Sequence, residues 1–561
     1  MVDTYFILPP QLPCLALSSS VIISLLMRGR EVRVYFCIVG TAHVRNEYIH
    51  KPATCSLDKI YNLIIIEKAI DTFIFFKFLI LSLFFGTSHT FTFEPLLITT
   101  KTSFCMCCLQ KYFMIAFICF LQLFFCHSAN AQIVCGPALG HVELRTAQLW
   151  IQVTPSVKAV AVKYWKSGKS STQKTIVYTG SLGQEFTTVK VALTGLDVNT
   201  TYDYAFVIDS KEMPATGGHF TTQDLWQWRN PAPDFSILSG SCAYFNEPQY
   251  DRPGKPYGGD SSIFETMAKE KSAFMLWLGD NWYTREADYQ SEWGLAYRPT
   301  HDRSLKVLQP FWKAMGHYAI WDDHDYGPND ADKSYVLKEA SRKVFINNWC
   351  NPSFGENGKG VYSKFSYNDV DFFLLDDRWF RSNDETPDSV EGKPNLDKRM
   401  FGKEQMEWFK NAIRQSNSNA NVHFRIIATG SQVINPVSPW DCFRHFPAEY
   451  KEMMDFLQEE KINAVVFLTG DRHLSEINKA ERSGAYPMYD ITSSPLTSGR
   501  SKYNDQEKDN PARILSVVGQ QNYSRITFSG QAKDRKMKVE FIGIKGEKLS
   551  EWEVSLKDIS F

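Results

Sequence analysis

The sequence predicts an α/β domain preceded by a small all-β sandwich of immunoglobulin or fibronectin type, and three observations carry that prediction. Between Ile133 and about Thr222, runs such as AQLWIQV, AVAVKYW and TTVKVAL alternate apolar with polar residues and are separated by Gly, Asn and Asp turns. That is the pattern of half-buried strands. From Phe235 the alternation gives way to short apolar runs that end in polar loops, six times over, with amphipathic stretches between them. Met406, Phe409 and Ile413 fall at helical spacing in one such stretch, and Tyr450, Met453, Met454 and Leu457 in another. Third, the clustered Asp, His and Arg residues follow the apolar runs. In open α/β sheets that is where ligands bind. The final alternation, YSRITFSG to EWEVSL, predicts strands that complete a sheet edge.

A chain of 561 residues exceeds one ordinary domain. Apolar content of 44% and charged content of 22% are those of a soluble globular protein. A formal net charge of −1 gives no sign of a nucleic-acid or membrane-surface partner, and no nucleic-acid-binding module is visible. Residues 1–105 carry apolar runs without caps or motif, and Asp71 and Lys77 interrupt the best candidate for a membrane span of ~20 residues. The stretch MCCLQKYFMIAFICFLQLFFCHSANAQ then has the parts of a signal peptide. Lys111 supplies the charge, Phe113 to Phe125 the apolar core, and Ala129-Asn130-Ala131 a cleavage site before Gln132. The expected organisation is a spurious or disordered extension over 1–105, with translation starting at Met106 or Met114. A signal peptide at 106–131, a β-sandwich domain at 132–224 and an α/β domain at 225–561 follow. The alternative for the extension is an anchored N-terminus with two spans. The mature protein is expected to be secreted or periplasmic and to hold no stable membrane span. Residues 223–234, with Pro231 and Pro233, read as the linker.

Eight of the twelve cysteines lie at or before Cys126; Cys135, Cys242, Cys350 and Cys442 remain. Four so widely spaced do not make a disulfide scaffold, although one bridge, such as Cys350 with Cys442, stays open. Asn199-Thr200-Thr201 and Asn522-Tyr523-Ser524 are glycosylation sequons.

The loops carry the chemistry. The run Phe274–Leu278 ends in Gly279-Asp280, with Tyr283 three residues on. In GDRHLSE, Asp471 and His473 stand two apart. If the strand continues through Arg472, they share a face and reach one metal. WDDHDYGPND packs Asp322, Asp323, Asp325 and Asp330 around His324. So many carboxylates repel one another unless a cation or a basic partner compensates them. His324 among them is a candidate general acid, because its pKa starts near neutrality. Cys242 is either an inert buried thiol or, deprotonated, a metal ligand. Arg378, after Asp376 and Asp377, is an anion-binding fork or half of a buried ion pair. Gln432 either faces the site or closes a turn.

Oxygen, nitrogen and one sulfur donor suit two unlike cations. One is a thiolate- and phenolate-bound metal such as iron; the other is a harder, oxygen-bound ion such as calcium or magnesium. A carboxylate bridging two metals clamps a phosphoryl group during in-line attack. No H-E-x-x-H, P-loop, G-x-S-x-G or G-x-G-x-x-G motif competes with this reading.

In their order, SGSCA, LGDNWYTREADY, IWDDHDYGPND, FFLLDDRWF, ATGSQVINP and FLTGDRHLSE resemble the alkaline phosphatase D (PhoD-like) branch of the metallophosphoesterases. The resemblance runs from about Ile133 to the C-terminus. It implies a four-layer α/β/β/α domain, secretion, and hydrolysis of phosphate mono- or diesters. By position it implies Asp280 as the bridging ligand. Cys242, Tyr283 and His473 match ligands of a ferric ion. Asp323 and Asp471 match ligands of the second ion, calcium in the family, with magnesium or another divalent ion as substitutes. His324 matches the catalytic histidine, and Arg378 and Arg285 match phosphate-binding positions. Two departures stand out. The superfamily's late metal histidine is absent from ATGSQV, which favours an oxygen-rich second site. The twin-arginine export signal is also absent, which points to the general secretory route.

The expected function is therefore that of a secreted phosphoesterase acting through hydroxide held at a dinuclear Fe3+ and Ca2+ centre, with His324 protonating the leaving alkoxide. Two other classes stay open on the sequence. One is a metal-independent cysteine hydrolase with Cys242 as nucleophile and His324 or His473 as base. The other is a non-enzymatic secreted protein with a calcium-stabilised acidic loop. The physiological ester and the oligomeric state are not legible.

Overall fold

The computed structural model describes residues 132–561 and, before them, the strands Tyr5–Phe6, Ser19–Arg28 and Glu31–Gly40. Those three strands form an antiparallel sheet within a unit covering Met1–Phe104, and Cys105–Phe561 is a second unit. The expected signal peptide at 106–131 lies outside the described residues. Among the described residues no helix is long and apolar enough to cross a membrane.

Two mixed sheets organise the second unit. The first begins with β1 (Ile133–Val142), β2 (Thr146–Val153), β3 (Thr188–Thr194), β4 (Phe235–Gly240), β5 (Phe274–Leu278) and β6 (Gly316–Ile320). The second is made of β7 (Ser363–Tyr367), β8 (Val370–Leu374), β9 (Phe424–Ala428), β10 (Val465–Thr469), β11 (Ser475–Ala480), β12 (Met488–Thr492) and β13 (Arg513–Val517). The chain then returns to the first sheet with β14 (Asn522–Ser529), β15 (Lys536–Gly543) and β16 (Lys548–Ser555). The first sheet has the order β16-β15-β14-β4-β5-β6-β1-β2-β3, with β4, β5, β6 and β1 parallel. The second has the order β7-β8-β9-β10-β12-β11-β13, with β8, β9, β10 and β12 parallel. The central parallel strands FMLWL, VDFFL and VVFLT are buried at every residue, as strands covered on both faces must be. One apolar core, holding Trp277, Phe372, Ile427 and Phe467, spans both sheets. The C-terminal alternation forms the antiparallel edge β14–β16, as expected.

Helices α1 (Glu292–Ser304), α2 (Lys338–Asn348), α3 (Gly402–Asn417) and α4 (Pro447–Glu459) connect the strands. Met406, Phe409 and Ile413 of α3 and Met453, Met454 and Leu457 of α4 are buried. This is the face their spacing predicts.

The all-β segment is not separate. A five-stranded sheet that includes Val160–Lys166 and Thr201–Ile208 shares a core with β1–β3 through Leu149, Ile151, Val162 and Phe206. But β1 also pairs in parallel with β6, Leu139 opposite Gly316, so the first sheet runs on from the all-β segment into the rest of the chain. The join covers an edge that β6 would otherwise expose. The expected linker is pinned by fully buried Arg535, which donates to Asp234 Oδ1 at 2.7 Å, Pro233 O at 2.7 Å and Asp369 Oδ1 at 2.8 Å.

All four cysteines after residue 132 are buried free thiols, so Cys350 and Cys442 are not bridged. Cys442 Sγ instead lies 3.5 Å from Asn435 O. Asn199 is exposed on a turn, whereas Asn522 is fully buried and its side chain accepts from Ser475 at 2.7 Å. Only the first sequon is accessible in the folded chain.

The ends of the parallel strands meet across glycine. A Cβ on Gly279 would lie 2.6 Å from Asp322 Cβ, one on Gly430 would lie 2.5 Å from Asp322 Cγ, and one on Gly470 would lie 2.4 Å from Leu278 O. Gly470 follows the last residue of β10 in the second sheet, and Leu278 ends β5 of the first. Gly470→Ala should therefore lower unfolding free energy by about 1–3 kcal/mol, read from the urea midpoint. An unchanged midpoint would mean that the two sheet ends separate freely.

Candidate metal centre

Every sequence-predicted site residue follows a central parallel strand. Cys242 follows β4, Asp280 and Tyr283 follow β5, Asp323 and His324 follow β6, Arg378 follows β8, and Asp471 and His473 follow β10. The structure brings Cys242, Asp280 and His473 together, with donor atoms within 4.8 Å of one another, and likewise Asp280, Asp323 and His324. Asp280 belongs to both groups. Tyr283 joins the first: its hydroxyl lies 3.0 Å from His473 Nε2, and its ring lies 4.2 Å from that of His324.

The backbone is bent to make this possible. Cys242 (φ 62°), Asp280 (φ 50°), Asp471 (φ 65°) and His473 (φ 55°) are all left-handed. Asp and His tolerate this region better than most residues, but each such residue stores strain of order 1–3 kcal/mol, and such strain gathers at functional sites. The expectation that β10 continues through Arg472 is thereby corrected. The strand ends at Thr469, Gly470 N–H donates to Gly430 O at 2.7 Å, and two left-handed residues turn the chain. His473 reaches the Cys242 cluster by this turn and not by strand alternation. Arg472 points away into a buried network with Gln432, Ser438 and Glu507, so Gln432 serves that network and not the centre.

The carboxylates of WDDHDYGPND divide their work. Asp323 joins the centre, where Asp330 N–H donates to its Oδ2 at 2.7 Å. Asp325 accepts from the backbone N–H of Asn281 and of Asp322, each at 3.0 Å, and so holds the β5 and β6 loops together. Asp322 takes Arg378 Nε at 2.6 Å, both side chains being fully buried. His324 N–H donates to Asp280 Oδ1 at 3.3 Å, and Nδ1 of its ring is buried with no partner.

Burial and mutual repulsion dominate the electrostatics. Burial, then Asp323, Asp325 and Asp471, pushes Asp280 well above the usual carboxylate range. Burial, then Asp441 and Asp323, pushes Asp471 up to about 7. Burial, then Asp280 and Asp471, pushes the Cys242 thiol well up, although Ser494 Oγ donates to its sulfur at 3.1 Å. Burial opposes ionisation of Asp323 too, yet His324 and Arg378 hold its carboxyl below the usual range. Burial, with His324, pushes His473 down to about 4, leaving a neutral imidazole. Two overlapping sets of buried sulfur, oxygen and neutral nitrogen donors, crowded with like charge, are what a pair of cations compensates. The residues present therefore fit a dinuclear metal site.

Arg285 is not free for substrate. Its guanidinium donates to Phe245 O at 2.6 Å, to Asp251 Oδ1 at 3.0–3.1 Å and to Tyr283 O, and lies 4.0 Å from the centre of the Tyr244 ring. It holds the loop that presents Tyr283. Two residues escaped the sequence reading. Tyr257 places its hydroxyl 2.9 Å from His473 Nδ1 and so orients that imidazole. Asp441 accepts from Arg378 at 2.5 Å and from Arg381 at 2.8 Å. Both lie on irregular loops, where no apolar run marks their position.

A family model described as PhoD-like phosphatase matches residues 237–541, and a domain of unknown function (DUF7800) matches 130–224. Alkaline phosphatase D of Bacillus subtilis (strain 168) is 26% identical over 395 residues, covering 61% of this chain and 64% of that protein. The chain thus spans just under two thirds of the relative's length. A solved structure of PhoD superposes with a TM-score of 0.59 at 19% identity, over 76% of this chain and 89% of that one. The purple acid phosphatase PPD1 from yellow lupin (Lupinus luteus) seeds superposes with a TM-score of 0.56 at 10% identity, over 76% and 74%. At these identities the two structures show a shared fold.

Asp441→Asn weakens the compensation of two buried guanidiniums. The expected loss is about 3–5 kcal/mol of stability by chemical denaturation. A loss below about 1 kcal/mol would show that the arginines do not depend on it.

Proposed function

The chain belongs to the PhoD-like phosphatase family, and on that premise we propose that it is an exported, metal-dependent phosphoesterase acting on phosphate mono- or diesters. The observation that carries the reading is the sharing of Asp280 between two donor clusters. Cys242, Asp280, Tyr283 and His473 would hold a ferric ion, and Asp280 and Asp323 a calcium or magnesium ion, joined by Asp471, which lies outside both donor groups but is pushed up by the charge of Asp323. When bound, the two cations supply Lewis acidity toward the phosphoryl group and acidify water. We read the two mixed sheets and their helices as the four-layer α/β/β/α order, and residues 106–131 as the export signal.

The chain's own groups do the rest. Asp322 and Asp441 occupy one edge of the Arg378 guanidinium, and its Nη1 is buried without a partner. That free edge is the one for an equatorial phosphoryl oxygen. His324 gives its proton to the leaving alkoxide. Burial lowers the pKa of its imidazole, which makes the imidazolium a stronger acid. The Tyr283 ring, 4.2 Å away and inclined by 33°, limits the movement of the imidazole.

The cysteine-hydrolase reading has less support. Among the described residues, the polar partners of Cys242 are the hydroxyls of Ser241 and Ser494 and the carbonyl of Asp471, and no imidazole is hydrogen-bonded to it. A thiol pushed well up by burial is also a poor nucleophile. A non-enzymatic calcium protein would turn over no phosphate ester.

Asp280→Asn should lower turnover of p-nitrophenyl phosphate by roughly two orders of magnitude or more, with an unchanged circular dichroism spectrum. Near-wild-type turnover would refute the bridging role. Chelation should abolish activity, and Tyr283→Phe should bleach a visible phenolate-to-iron band of the purified protein. Activity that survives metal removal would overturn the metal-dependent reading, and protein purified without iron would overturn the ferric assignment alone.

A further inference from the structure

A cavity of about 390 Å³ opens beside the loop that carries Arg378. Trp379 and Phe380, the two residues after that arginine, form one wall. Five cations line it: Lys333, Lys338, Lys359, Arg399 and Lys403. Only two acids do, Asp397 and Glu404. Three of the cations are matched by carboxylates. Lys359 meets Glu404 at 2.6 Å, Lys403 meets Asp397 at 3.3 Å, and Arg399 meets Glu452 at 2.9 Å.

The other two are not. Lys333 Nζ donates to the Ser382 hydroxyl at 3.1 Å, and Lys338 Nζ donates to Lys333 O at 2.9 Å. Lys338 Nζ also lies 5.0 Å from the centre of the Trp379 ring. Among the described residues neither ammonium has an ion-pair partner. Two like charges held together on neutral acceptors leave a local excess of positive charge. The cavity is also entered by the first residues of α2, at Lys338, and of α3, at Gly402, and neither helix start is capped by a side chain. The Lys338 N–H donates to Tyr335 O at 3.3 Å, and Glu449 Oε2 takes the N–H groups of Met400 and Phe401 just ahead of α3, so the attraction for an anion rests on the two ammonium groups. Phe380 packs so closely on Gly402 that a Cβ there would lie 2.6 Å from Phe380 Cβ, so the wall and the helix start are fixed together.

We propose that this cavity is an anion subsite for a phosphate group other than the one being hydrolysed. Lys333 and Lys338 supply charge-assisted hydrogen bonds to its oxygens. Its place directly after Arg378 in the chain suits a second phosphate of the same polyphosphorylated substrate, an assignment that rests on the phosphoesterase reading. A free phosphate-rich effector has the same chemistry, and the experiment separates the two sources.

Binding of myo-inositol hexakissulfate, which a phosphoesterase does not hydrolyse, is measured by calorimetry on the purified chain and on the double variant K333M/K338M. The expected result is affinity in the wild type that falls with salt and is at least about tenfold weaker in the variant. The charge-retaining variant K333R/K338R, with an equal melting temperature, should keep most of it. No binding to the wild type, or equal binding to the K333M/K338M protein, would overturn the proposal. Kinetics then assign the source. If the anion belongs to the substrate, KM for ribulose bisphosphate rises about tenfold in K333M/K338M while p-nitrophenyl phosphate kinetics stay unchanged. If it is an effector, the hexakissulfate alters wild-type turnover of p-nitrophenyl phosphate and the bisphosphate KM stays put. A wild type that binds the polyanion but hydrolyses neither ester would sink the phosphoesterase reading and leave the anion subsite standing.

Discussion

Asp322 is the side chain on which the centre depends. It stands at the end of β6 against two glycines, Gly279 from the first sheet and Gly430 from the second, with no room for a Cβ on either. Its carboxylate takes Arg378, which comes from the end of β8 in the second sheet. Packing and charge thus fix the relative position of the two sheet ends at one residue. A buried ion pair recovers little net free energy once desolvation is counted. Its value here is registration: the loop carrying Asp323 and His324 and the loop carrying Arg378 cannot slide past each other without leaving two charges buried and unpaired.

Around that joint the chain accepts considerable electrostatic and conformational strain. Asp280, Asp323, Asp325 and Asp471 repel one another in a buried space, and four of the residues that converge there are left-handed. Strain of this kind persists only when the surroundings over-determine it. They do so here: Asp325 ties two loops through backbone N–H groups, Arg285 ties the Tyr283 loop, and Tyr257 steadies His473. A cation is the natural counterpart to such a site, because it converts the repulsion among ligands into attraction toward a common centre.

Much of this was legible before any coordinates. Apolar runs of five residues ending in polar loops identified β5, β6, β8, β9 and β10, and the loops after β4, β5, β6 and β10 supply the donors. What escaped depends on contacts made far along the chain. The motif resemblance singled out Asp323 for the centre, but nothing in WDDHDYGPND says which acid meets an arginine, since Arg378 lies 56 residues away from Asp322. Arg285 looked available because it follows Tyr283 by two, yet its donors are taken by Phe245, Asp251 and Tyr283 itself. The way the all-β segment joins the rest was hidden for a related reason: alternation marks a strand but does not name its partner, and β1 pairs with β6.

The sequence by itself determined the element types, the class of the fold, the loops that hold the chemistry and the mixed donor set, because these follow from local periodicity and residue type. Only the tertiary structure decided how the donors are brought together. It carried His473 to Cys242 by a left-handed turn, gave Asp322 to Arg378, and brought in Tyr257 and Asp441 from loops without a pattern. The reason is geometric. Periodicity fixes which way a side chain faces along its own strand, whereas convergence at a point requires the ends of two sheets to meet, and that meeting is set by glycine contacts between segments distant in sequence.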